Sequence, residues 1–146
     1  MKKLTTNLTI AAGALVFAAG AVSAQTQPLT AKIPFAFHVG KTIMQLGTYR
    51  IDNLAGQTSA PVFRLLNARS HQVVVQIAQA PVDPSKAWTE TGNPKLVFAC
   101  GAGRCDLAEV WAGSGNNHAY TFRQPKLGKD YEASLTVIPM TRDKGE

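Results

Sequence analysis

From Lys32 to Val39 the chain alternates between apolar and other positions: Ile33, Phe35, Phe37 and Val39 fall on one side, Pro34, Ala36 and His38 on the other. Period-two alternation with aromatic and branched side chains predicts a half-buried strand. Pro34 has no N–H to donate and belongs at a strand start or a sheet edge. Gly40-Lys41 opens a turn, and Thr48 to Asp52 is the next strand, with Tyr49 and Ile51 inward and Arg50 outward. After a loop of small and polar residues, Val62–Leu66 and Gln72–Ala78 read as a hairpin around Asn67 to His71. If Leu66 lies opposite Gln72, then Leu65 meets Val73 and Phe63 meets Val75. These four side chains and Ile77 then share one apolar face, an agreement between register and pattern.

The stretch from Pro81 to Pro94 carries three prolines, Gly92 and Asn93, and is expected to hold no regular element. Lys95–Cys100 and Cys105–Ala112 form a second hairpin. Pairing Cys100 with Cys105 sets Phe98 across from Leu107 and Leu96 across from Glu109. His118–Arg123 is a short strand with Tyr120 and Phe122 on one side. Glu132–Ile138 is the last strand, with Ala133, Leu135 and Val137 opposed to Ser134, Thr136 and Ile138, and Pro139 ends it. A short helix over Lys129 to Leu135 is the competing reading. About eight short strands with turn signals between them predict an all-β domain, an antiparallel sandwich or barrel.

Residues 1–24 have a different pattern. Lys2 and Lys3 precede a run of 13 apolar or small residues, Ile10 to Val22, and Val22-Ser23-Ala24 offers small side chains before Gln25. A charged start, a short apolar core and a small-residue cleavage site predict a secretory signal peptide. A membrane-spanning helix needs about 20 apolar residues, more than this run supplies. The expected organisation is a signal over 1–24, one β-domain over 25–140 and a charged, disordered tail over 141–146. The expected location is the periplasm or the extracellular space.

Without the two leader lysines, 13 basic residues face 9 acidic ones, a net charge of +4. The basic residues are scattered from Lys32 to Lys144 and form no run, which argues against nucleic acid as a partner. The two cysteines, Cys100 and Cys105, flank Gly101-Ala-Gly-Arg104. In an oxidising compartment an even cysteine count fits one bridge. Gly101 and Gly103 supply the positive φ that such a turn needs. A two-thiolate metal site is the alternative, but zinc wants four ligands and no histidine lies near.

The segments Ile33-Pro-Phe-Ala-Phe-His-Val-Gly40 and Leu46-Gly-Thr-Tyr-Arg-Ile51 together resemble the opening of a family of small exported β-proteins of environmental bacteria. Pro94-Lys-Leu-Val-Phe98 and Leu107-Ala-Glu-Val-Trp111 look like that family's later hairpin. The resemblance covers most of the chain beyond the leader. It implies an all-β fold and export, and no activity. Many members lack the cysteine pair, which makes the bridge an addition to the fold.

No hydrolase nucleophile elbow, zinc-protease helix, phosphate-binding loop or dinucleotide fingerprint is present, so no cofactor is expected. His38, His71 and His118 are far apart, and no spacing brings three ligands together. Glu109 shares a face with Leu107 and Trp111 by alternation. There its carboxyl would have a raised pKa and could line a pocket, or it stands exposed at the end of the sheet. Trp88, in the proline-bounded loop, offers either a stacking surface for a sugar or protein partner or a ring folded down on the β-core. Trp111 and Tyr120 occupy strand positions typical of core. The leading expectation is a non-enzymatic exported β-module that binds a protein, a glycan or the cell envelope, with Trp88, Glu109, Trp111 and Tyr120 as candidate contacts. The alternatives are a carrier of small apolar ligands with Glu109 and Trp111 in its pocket, and an enzyme whose site forms only by tertiary convergence.

Overall fold

The computed structural model describes residues 27–55, 60–126 and 132–143, and the leader over 1–24 lies outside them. In chain order the elements are β1 (Leu29–Ile33), β2 (Phe37–Val39), β3 (Thr42–Met44), β4 (Gly47–Asn53), β5 (Val62–Asn67), β6 (Val73–Ile77), β7 (Pro81–Val82), α1 (Lys86–Thr91), β8 (Lys95–Gly101), β9 (Arg104–Trp111), β10 (Ala119–Thr121) and β11 (Ser134–Arg142). The strands form one curved sheet in the order β3-β2-β9-β8-β11-β1-β4-β5-β6, with β10 joining β9 to β7. Neighbours are antiparallel except β2 and β9, which run parallel with His38 opposite Asp106. The two ends approach each other, since Gln72 Nε2 donates to Ile43 O at 3.0 Å and the Gln79 N–H donates to Thr121 O at 2.8 Å. The result is the expected all-β fold in the form of a nearly closed barrel.

Two prolines mark the corners. The first expected strand is in fact two strands, broken at Pro34-Phe35-Ala36. There the chain leaves β4 and β11, the partners of β1, for β3 and β9, the partners of β2. Pro139 does not end the last strand as expected. β11 pairs with β8 from Ser134 to Pro139 and with β1 from Met140 to Arg142, so the proline sits where the ladder changes partner. A residue without an N–H costs least at such a discontinuity. Thr141 and Arg142, expected in a disordered tail, are the end of this strand.

The β5–β6 register differs from expectation by one residue. Leu66 faces Val73, and Leu65 faces Val74. Asn67 Oδ1 accepts the N–H groups of Arg69 and Ser70, and His71 takes φ +59°, so the turn holds a different number of residues than simple pattern matching supposes. A slip of one residue reverses every side chain of a strand. Val74 therefore points inward, while Val73, Val75 and Ile77 are 49, 50 and 62% exposed.

In the β8–β9 hairpin Cys100 pairs with Cys105 and Phe98 with Leu107, as expected, and the two cysteines form a disulfide. Positive φ falls at Ala102 and Gly103 rather than at Gly101 and Gly103, which makes the two-residue turn favoured in hairpins. Beyond Phe98 a β-bulge leaves Ala108 as the extra residue, so Leu96 faces Val110 and Val97 faces Glu109.

The interior is filled by rings and branched side chains. Phe37 meets Tyr49 and Phe98 edge-on at 5.2 and 5.1 Å, and all three are fully buried. Phe35, half-buried at the corner, packs edge-on against Phe98 at 5.2 Å. Among the described residues no helix is long and apolar enough to cross a membrane.

Candidate functional site

The four residues singled out in the sequence do not meet in one site. The proline-bounded loop holds a one-and-a-half-turn helix, α1, together with β7, against the expectation of no regular element. Ser85 O accepts the Trp88 and Thr89 N–H groups, and Gly92 closes the helix in the left-handed conformation at φ +69°. The helix carries Trp88 down onto Trp111, with the rings stacked at 6.2 Å and 23° between planes. Trp111 is 2% exposed and its indole N–H donates to Asn116 O at 3.0 Å. Val110 belongs to the interior cluster, so Trp111 and Glu109 on either side of it point to the outer face of the sheet. The bulge moves Glu109 and Trp111 away from Leu107, which stays inside. Glu109 is half-buried between Val97 of β8 and Thr121 of β10, and burial pushes its carboxyl above the ordinary value. Tyr120 lies on the inner face, its ring 5.7 Å from that of Phe63. Trp88 and Trp111 thus cover the sheet from outside, and Tyr120 packs within it.

A groove lies at a different place in the fold. Where the barrel seam stays open, between the β2–β3 turn and the middle of β6, lies a groove of roughly 630 Å³. Its walls are His38, Gly40, Lys41 and Ile43 from the first strands, Gln76 from β6, Arg104 and Asp106 from β9, and Arg123 to Lys126 from the chain after β10. This size lies within the usual range for ligand-binding clefts.

Local chemistry explains the walls. Gly40 turns the chain at φ +59°, and Gln76 Oε1 lies 3.1 Å from where a Cβ would stand. Gln124 Nε2 donates to Leu107 O at 2.9 Å and Phe122 O at 3.0 Å, which straps residues 123–126 along β9. Asp106, 5% exposed, accepts from Arg104 Nε at 2.8 Å and from Arg104 Nη2 at 2.7 Å. The only carboxylate among the described residues of the groove is thereby held in a forked, charge-assisted pair. Lys41, Arg123 and Lys126 stand exposed, and among the described residues none of them has an acidic partner. The Nδ1 atom of His38 is buried with no hydrogen-bond partner among the described residues.

A second hollow, about 460 Å³, lies beside residues 45–48 and 67–70, with Arg69 the one charged residue among its described lining. Comparison with protein-family models, with curated proteins and with solved structures finds no match to this chain.

Proposed function

We propose that the protein is an exported, non-enzymatic β-module that works by holding a component of the cell envelope against its surface, with the seam groove as the contact. The observation that carries this reading is the groove itself. It is open, lined by several charged and amide side chains, and assembled from four separate segments of the barrel, as binding sites on β-scaffolds are. The one carboxylate of its described lining is paired with Arg104, so that lining offers charge and hydrogen bonds. Export rests on the leader pattern of residues 1–24, and the Cys100–Cys105 bridge is consistent with an oxidising compartment.

The test is a titration of isotopically labelled protein with fragments of envelope glycans and peptides, followed by amide NMR spectra. Shifts clustering on His38, Lys41, Gln76, Arg123 and Gln124 are expected. Shifts confined to α1 and Trp111, or none with any fragment, would overturn the proposal.

A further inference from the structure

The make-up of the groove narrows its ligand, an inference that rests on the groove being the binding surface. We infer that it receives the carboxylate groups of an acidic glycan, a chain of sugar units bearing uronate-type acids. Three observations point the same way.

The first is charge. Lys41 comes from the β2–β3 turn and Arg123 and Lys126 from the strap after β10, so two unconnected segments bring cations to one concavity. Arg104 and Asp106 cancel each other, which leaves these three as the net charge of the described lining. Like charges gathered in a cleft concentrate counter-ions there and favour an anionic visitor over a neutral one. Each is exposed and has no acidic partner among the described residues, so no internal ion pair accounts for their lying together.

The second is His38. Its Nδ1 is buried without a partner among the described residues, and buried polar atoms in native proteins nearly always have one. His38 lines the groove, and a turn of its ring brings this atom within reach of a ligand there. A sugar hydroxyl both donates and accepts, so it satisfies either tautomer of the ring. A carboxylate alone would satisfy only the protonated or N–H form.

The third is what the lining lacks. No Trp, Tyr or Phe is among its described residues, and Ile43 and Pro125 are its only large apolar members. Protein partners are usually gripped by buried aromatic or aliphatic anchors, and neutral sugars by flat rings. Charge and hydroxyl pairing are what this surface offers. An acidic peptide would use the charge but find no aromatic pocket among the described residues for an anchoring side chain, and a neutral glycan would leave the cations without a counter-charge.

Calorimetry with the purified protein and three probes decides the matter: an oligogalacturonate, the same oligomer fully methyl-esterified, and poly-glutamate of similar length. The inference expects the free-acid oligomer to bind at least about tenfold tighter than either of the others. It also expects affinity to fall between 50 mM and 200 mM salt, as screening of a charge-driven contact requires. The double variant Arg123→Gln/Lys126→Gln should lose about tenfold in affinity for the acid and little for the ester. Both side chains are exposed, so its melting curve should match the wild type, and a matched melt excludes unfolding as the cause. Equal binding of acid and ester, tighter binding of poly-glutamate, or an unaffected double variant would overturn the inference. Ester binding that shifts the groove amides would leave the binding surface standing while removing the acidic ligand. No binding by any probe, with no shift at the groove from envelope fragments, would remove both.

Discussion

Replacing Trp88 by alanine separates two roles for that ring, a cover for Trp111 or a free platform for a partner. The indole is half-buried, stacked at 6.2 Å on a Trp111 that is 2% exposed. Full burial of a large apolar side chain is worth about 1.5–3 kcal/mol, so half of it contributes about 1 kcal/mol. The ring pair adds about 0.5–1.5 kcal/mol beyond area. Trp88→Ala should therefore cost about 2 kcal/mol. A domain of roughly 110 residues has an unfolding entropy of about 0.23 kcal/mol/K, which converts that loss into a fall in Tm of about 9 °C. α1 has no fully buried residue, so it should undock when the indole is gone. The chain has two tryptophans, and the variant's fluorescence then reports Trp111 alone. Its emission should move to the red as its outer side meets water. Trp88→Phe keeps a ring on the stack and should lose less than half as much. A change in Tm under about 2 °C with unshifted Trp111 emission would refute the covering role. Loss of ligand affinity in the groove, on the far side of β9's bulge from this stack, would refute the assignment of the contact to the seam.

Three further outcomes follow from other parts of the barrel. Removing the bridge by Cys100→Ser/Cys105→Ser opens a ring with a sequence separation of 5, for which loop-closure entropy gives about 2 kcal/mol, readable as a lower urea midpoint at unchanged m-value. Asn67→Ala removes the acceptor of the Arg69 and Ser70 N–H groups from a residue that is 3% exposed, and should cost about 1–3 kcal/mol in the same assay. Glu109 has its pKa raised by burial, so the folded chain binds that proton more tightly than the unfolded one. Stability from this group is therefore greatest at low pH and declines as pH rises from the ordinary glutamate value through the raised one. Glu109→Gln should abolish that decline and melt higher than wild type at pH 7, and a lower melting temperature there would contradict the burial.

Strand existence was legible because half-buried strands repeat with period two, and Tyr49/Ile51, Phe63/Leu65 and Phe98/Leu107 all keep their expected face. What the pattern could not show is how turns consume residues. Val73-Val74-Val75 is apolar at every position, so either register buries valine, and only the Asn67 turn with His71 at positive φ decides that Val74 goes in. The bulge at Ala108 is invisible for the same reason. Leu107, Glu109 and Trp111 alternate in the sequence, yet the extra residue puts Leu107 on one face and the other two on the opposite face. Prolines misled in a consistent way. Pro34 and Pro139 suggested edges or ends, and in a curved sheet they instead mark where a continuous chain changes its ladder partners.

The groove was not legible at all, and the reason is physical. Its walls come from residues 38–43, 76, 104–106 and 123–126, which meet because the last strand of the order, β6, curls round to the first, β3. Scattered lysines and arginines read along the chain as a solvated surface. Pairing of β2 and of β10 with β9, with Gln124 bonded to Leu107 O, brings Lys41 to Arg123 and Lys126, and closure adds Gln76 as the facing wall. The bonds from Gln72 to Ile43 and from Gln79 to Thr121 pin the seam above and below while Gly40 and Gln76 meet between them. Incomplete backbone pairing at that seam, which in a continuous ladder would leave no room, is what makes space for a ligand. The same curvature therefore buries the rings of Phe37, Tyr49 and Phe98 and sets Gln76 across the groove from the cations. A variant that loosens the seam, Gln72→Ala, should weaken ligand binding while leaving every groove side chain in place. Unchanged affinity in that variant would mean that the β6 wall of the groove takes no part in the contact.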